Sequence, residues 1–122
     1  MEINIAKSAG FCFGVRRAVD TVYKESAKKN VYTYGPIIHN DEVVADLERQ
    51  GVGVINDSNE FRSLGKGTII IRSHGVPKAI YDEIADAGLD LVDATCPFVR
   101  KIHRIVEKET GDGRVVIIVG NN

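Results

Sequence analysis

Apolar residues follow two alternating rhythms along this chain. One is the short run of β-favouring residues; the other is apolar positions three and four apart, the spacing of one helix face. Residues 2–6 open in the first rhythm and read as a strand. Val15, Ala18, Val19, Val22 and Tyr23 then share one face of a helix that the spacing carries to about Lys29. Val31–Tyr34 reads as a second strand, closed by Gly35 and Pro36. Asn40 or Asp41 suits the N-cap of a helix reaching about Gln50, and Gly51 suits the position just past its end. Val52–Ile55 is a third strand, followed by a polar turn and a short helical stretch over 58–64. Thr68–Ile71 is a strong fourth strand. Pro77 opens a helix that ends near Ala87 with Gly88 as its stop, and 89–93 is a fifth strand. Pro97 opens a further helix with Val99, Ile102 and Val106 on one face. The turn Gly111-Asp112-Gly113 leads to a sixth strand at 114–119.

Strands alternating with helices predict an α/β fold: an open, mainly parallel sheet with helices on both faces. The sequence shows no internal repeat, low-complexity stretch or linker. A last apolar strand calls for another covering helix after Asn122, so the chain reads as the N-terminal portion of a longer protein. Composition narrows the picture further. Of 122 residues, 43% are hydrophobic and 27% charged, the balance of a folded domain and not of a disordered one. Sixteen Lys and Arg against 17 Asp and Glu leave a net charge of −1, which argues against a nucleic-acid partner. The apolar runs are too short to span a bilayer, and the first ten residues lack a signal-peptide core. Two cysteines do not make a disulfide scaffold, so the expected compartment is the cytoplasm, with the thiols reduced or bound to metal.

The reactive residues fall in a pattern. Cys12 follows the first expected strand, His39 the second, His74 the fourth and Cys96 the fifth. In a parallel sheet these β→α loops share the carboxyl edge, where ligands bind, so residues 84 positions apart can converge. Taken singly, a free cysteine is more often a small buried hydrophobe, and a loop histidine is as often structural as functional. The contexts shift that balance. Gly10-Phe11-Cys12-Phe13-Gly14 sets a thiol between glycines, where backbone can approach a ligand. Thr95-Cys96-Pro97 sets the other just before a helix start, an environment that favours the metal-binding thiolate. An iron cluster or a zinc ion suits both thiols. Pro36-Ile37-Ile38-His39-Asn40 and Arg72-Ser73-His74-Gly75-Val76-Pro77 each place a histidine before a helix N-terminus, a natural phosphate site. His103, inside a helix beside Ile102, reads as structural, and Arg16, Arg17, Arg100, Lys101 and Arg104 read as solvated helix faces. There is no G-x-G-x-x-G, P-loop or C-x-x-C, and the Cys and His spacing matches no compact zinc module. Three readings stay open at this point: a metal-cluster enzyme, a non-catalytic α/β module binding zinc or a phosphorylated metabolite, and a Cys12–Cys96 thiol switch.

Four motifs together resemble one family. Gly10-Phe11-Cys12-Phe13-Gly14-Val15-Arg16-Arg17-Ala18, Ile38-His39-Asn40, Ser73-His74-Gly75-Val76 and Asp93-Ala94-Thr95-Cys96-Pro97 match, in order, motifs of the 4-hydroxy-3-methylbut-2-enyl diphosphate reductases (LytB/IspH). The resemblance implies an iron–sulfur oxidoreductase of the non-mevalonate isoprenoid pathway with a [4Fe–4S] cluster on three cysteines. Cys12 and Cys96 would be the first two ligands, and His39 and His74 would hold the substrate diphosphate. The third cysteine, another histidine and the proton-donating glutamate would lie beyond Asn122. The resemblance further implies three similar α/β units around the cluster. Residues 1–95 would form the first and 96–122 the start of the second. It also implies ferredoxin or flavodoxin as the electron donor.

Overall fold

The computed structural model describes residues 1–7 and 9–119. Helix α1, Phe13–Glu25, is followed by β1, Val31–Tyr34; α2, Asp41–Arg49; and β2, Val52–Ile55. A 3₁₀ helix over Ser58–Ser63 then leads to β3, Thr68–Ile71; α3, Lys78–Asp86; β4, Asp90–Asp93; and α4, Pro97–Gly111. The expected cap at Asn40 forms: its side-chain oxygen accepts from the Val43 N–H at 3.1 Å. Gly51 and Gly88 stand just past the ends of α2 and α3 with φ of +87° and +71°, a conformation that ends a helix at little steric cost in glycine. Pro77 takes the N-cap position of α3, one residue earlier than expected.

The four strands form one sheet in the order β2-β1-β3-β4, every pair parallel. Val31 pairs with both Val52 and Thr68, and Thr68 with Asp90. β3 is buried along its whole length, and its period of two splits its side chains between two cores. Ile70 joins Ala18, Val19 and Val22 of α1 and Leu47 of α2 on one face. Ile69 and Ile71 join Phe61 and Ile84, from the 3₁₀ helix and α3, on the other. Helices therefore cover both faces, as the alternating pattern predicts. Tyr23 donates to Asp46 at 2.8 Å and ties α1 to α2 at the surface.

Two expected strands do not form. Residues 2–6 and 114–119 pair with no strand among the described residues, and Ile3, Ile5, Ile117 and Ile118 are exposed. β-favouring side chains supply a preference, but a strand exists only by pairing with a neighbour, and these segments pair with neither edge strand, β2 nor β4. Helix α4 differs from the others in having no buried residue among those described; Phe98, Ile102 and Ile105 are exposed on it.

Candidate active site

The strand order creates a crevice. From β1 the chain moves outward to β2, then returns past β1 to β3 and on to β4. The connections leave in opposite directions on either side of the β1–β3 boundary. This is the switch point at which open parallel sheets bind ligands, on their carboxyl edge. His39 lies in the loop after β1 and His74 in the loop after β3, so the two flank that crevice, and both are exposed. The guanidinium of Arg72 lies between these loops, its Nη1 3.3 Å from where a Cβ on Gly35 would stand. Its Nε is buried and meets no hydrogen-bond acceptor among the described residues.

Cys96 sits in the next loop, after β4, as the N-cap residue of α4. Cys12 does not follow a strand as expected, because residues 2–6 form none; it is the N-cap residue of α1. The two thiols still belong to one region, because the starts of α1 and α4 touch. A Cβ built on Gly14 would stand 2.6 Å from Cys96 Sγ and 2.8 Å from its Cβ, far inside contact distance. Phe13 and Phe98 meet edge to face beside this contact, with ring centroids 6.3 Å apart. Cys12 is exposed and Cys96 is buried.

The loop that carries Cys96 is held from four sides. The Cys96 N–H donates to the Ser73 carbonyl at 2.9 Å, which locks this loop to the one bearing His74. Asp93 accepts from the Thr95 N–H at 2.9 Å and from the Thr95 and Tyr81 hydroxyls, and pairs with Arg100 at 2.8 Å. Arg17 of α1 donates to the Thr95 carbonyl at 3.3 Å. Gly75 is packed by Thr95 and by His103 Cε1, at 3.2 and 2.9 Å from its Cβ position, in a turn whose φ of +73° itself favours glycine. Burial raises the pKa of the Tyr81 hydroxyl above its ordinary value. Asp93 reinforces the rise, while the Thr95 hydrogen bond and Arg100 oppose it.

Sequence reasoning placed His39, His74 and Cys96 in the right loops. It misread Arg17 and Arg100 as merely solvated, because their partners, Thr95 and Asp93, become neighbours only on folding. It missed Arg72 and Asp93, although Arg72 stands two residues before His74 and Asp93 three before Cys96. His103, read as structural, packs on the His74 turn. Among the described residues no three His, Cys, Asp or Glu side chains gather as a metal-binding group. Two thiols at helix starts match the donor chemistry of an iron–sulfur centre, but by themselves they are an incomplete ligand set. No helix among the described residues is long and apolar enough to cross a membrane.

Known proteins share this sequence and this fold. The chain is 47% identical to the 4-hydroxy-3-methylbut-2-enyl diphosphate reductase of Alkaliphilus oremlandii, over 99% of this chain and 43% of that one. It is 49% identical to the reductase of the same name from Thermoanaerobacter sp. (strain X514), over 99% of this chain and 43% of that one. A solved (E)-4-hydroxy-3-methyl-but-2-enyl diphosphate reductase, described as the terminal enzyme of the non-mevalonate pathway, superposes with a TM-score of 0.78 at 44% identity; the match covers 98% of this chain and 42% of that one. The Plasmodium falciparum E-1-hydroxy-2-methyl-but-2-enyl-4-diphosphate reductase superposes with a TM-score of 0.78 at 34% identity, covering 87% of this chain and 33% of that one. The chain thus spans less than half the length of the curated relatives it matches. The LytB protein family model matches residues 3–122, and the chain belongs to that family.

Proposed function

We propose that the whole protein of which these residues are a part reduces 4-hydroxy-3-methylbut-2-enyl diphosphate to isopentenyl and dimethylallyl diphosphate, with loss of the allylic hydroxyl as water. In this reading residues 1–95 are the first α/β unit and 96–122 open a second. Cys12 and Cys96 hold two irons of a [4Fe–4S] cluster, and the remaining ligand comes from elsewhere in the whole protein. Ferredoxin or flavodoxin supplies the electrons, in the cytoplasm. The observation that supports the reading is the contact of the α1 start, capped by Cys12, with Cys96 at the α4 start, in a fold whose switch-point loops carry His39 and His74.

When bound, the cluster supplies electrons and a Lewis-acidic iron for the hydroxyl oxygen. The chain's own part is to hold the anion. His74 precedes α3, whose first turn is Lys78-Ala79-Ile80, without an acidic residue, and whose N-cap Pro77 makes no side-chain cap. That leaves backbone N–H groups and the positive end of the helix dipole for a phosphate. His39 precedes α2, where the Asn40 cap and the carboxylates of Asp41 and Glu42 already use part of that field. The His74 end is therefore the stronger anion site, and His39 a supporting donor. The Arg72 guanidinium adds positive potential between them.

The test is anaerobic purification of the full-length protein. Brown protein with iron and acid-labile sulfide, and turnover with a one-electron donor, is the expected outcome. Colourless protein with stoichiometric zinc would overturn the reading in favour of a zinc module.

A further inference from the structure

Gly14 lies inside α1, the second residue of the helix, where its backbone needs no left-handed conformation. Glycine in a helix is disfavoured against alanine, so space and not backbone geometry has to account for it. The space is taken by Cys96. Its Sγ and Cβ would lie 2.6 and 2.8 Å from a Cβ at position 14. Rotating the thiol does not relieve the second of these distances, which depends on backbone position. Nor can Cys96 retreat freely: its N–H is bonded to the Ser73 carbonyl, its own carbonyl accepts from the Arg100 N–H at 2.9 Å, and Thr95 before it is fixed by Asp93 and Arg17.

We infer that Gly14 is a positioning residue for the Cys96 thiol: its bare Cα is the surface on which that sulfur rests, two residues from Cys12. A methyl group there pushes the start of α1 away from the start of α4 and separates the two thiols. The geometric claim stands on the contact alone. Only its consequence for a cluster rests on the reading of Cys96 as an iron ligand.

The experiment uses Gly14→Ala in the 122-residue chain, with alkylation of each thiol followed by peptide mass analysis. In the parent chain the exposed Cys12 reacts fast and Cys96, 9% exposed, reacts slowly. In Gly14→Ala the Cys96 rate is expected to rise toward that of Cys12. A denaturant-unfolding cycle with Cys96→Gly gives the coupling: removing Sγ and Cβ should rescue most of the stability lost in Gly14→Ala. If Gly14→Ala alone does not fold, the double variant is expected to. An unchanged Cys96 rate, additive stability losses, or a double variant no better than the single would each overturn the inference. Iron content is then measured in the full-length protein carrying Gly14→Ala. Iron loss alongside faster Cys96 alkylation is the expected outcome; full iron content with a displaced thiol would leave the positioning intact and overturn the ligand reading.

Discussion

Serine at position 12 or 96 keeps the outline of cysteine but replaces a soft sulfur with a hard oxygen, a poor ligand for iron in a sulfide cluster. Cys12→Ser or Cys96→Ser in the full-length protein is therefore expected to lose iron and turnover together, measured by iron counting and by product formation. Normal values of both in either variant would remove that residue from the ligand set. The histidines should behave differently. His39→Ala or His74→Ala should leave the visible spectrum nearly intact and weaken diphosphate binding. A charge-assisted hydrogen bond contributes roughly 1.5–3 kcal/mol, or about 10- to 150-fold in affinity. The loss should be larger at His74, because Asp41 and Glu42 already occupy the field of the helix end beside His39. A His39 variant with the larger binding defect would contradict this order. Much of the site at this scale is legible in the sequence, since a thiol or imidazole before a helix start announces itself locally. The contact of Gly14 with Cys96 and the Arg17–Thr95 bond are not, because they join residues about 80 positions apart and depend on how two helices meet.

Elements form where local preference and long-range pairing agree. Val31–Tyr34, Val52–Ile55 and Thr68–Ile71 are legible because each run also finds a parallel neighbour. Residues 2–6 and 114–119 carry the same preference without a neighbour, so the sequence pattern overstates them. The central strand should be the most sensitive element. Ile70 is fully buried among α1, α2 and β1 residues, and Ile70→Ala should cost about 2–5 kcal/mol in denaturant unfolding. A loss below about 1 kcal/mol would mean that the core around β3 closes over the cavity. Asp93 joins α3, β4 and α4 through Tyr81, Thr95 and Arg100, and this network sets a pH dependence. Burial, with Asp93 beside it, raises the folded pKa of Tyr81 above its unfolded value of about 10. The protonated form thus favours the folded state. That contribution is present in full below the unfolded pKa and is lost as pH rises through the higher folded one. The pKa of Tyr23 is raised as well, by its hydrogen bond to Asp46, so an absorbance titration of tyrosinate should show late-ionising groups of which one is lost in Tyr81→Phe and the other remains. Loss of amplitude from the ordinary part of the curve, with the late part intact, would refute the assignment.

At the scale of the molecule, folding and cluster assembly should separate. The four-stranded sheet has a core on each face and strands paired only with one another, so the 122 residues contain what cooperative folding needs. The site is a different matter. A cubane cluster needs three thiolates in the proposed scheme, and this chain has two cysteines. The helix that Cys96 starts buries none of its described residues, and Phe98, Ile102 and Ile105 are exposed, so α4 presents an uncovered apolar face beside the proposed metal site. A cluster formed here would lie open to water and oxygen, without the dry, hydrogen-bonded shell that sets its potential. The chain alone is therefore expected to show one cooperative unfolding transition by circular dichroism, no reductase turnover, and no stable four-iron cluster after anaerobic reconstitution with iron and sulfide. Adding the remaining segment of the full-length protein in trans tests the same argument from the other side. If that segment supplies the missing ligand and cover, iron should be retained only when both pieces are present. Four irons per chain with turnover from the 122 residues alone would show that two thiolates suffice, and the proposed three-cysteine site would be wrong.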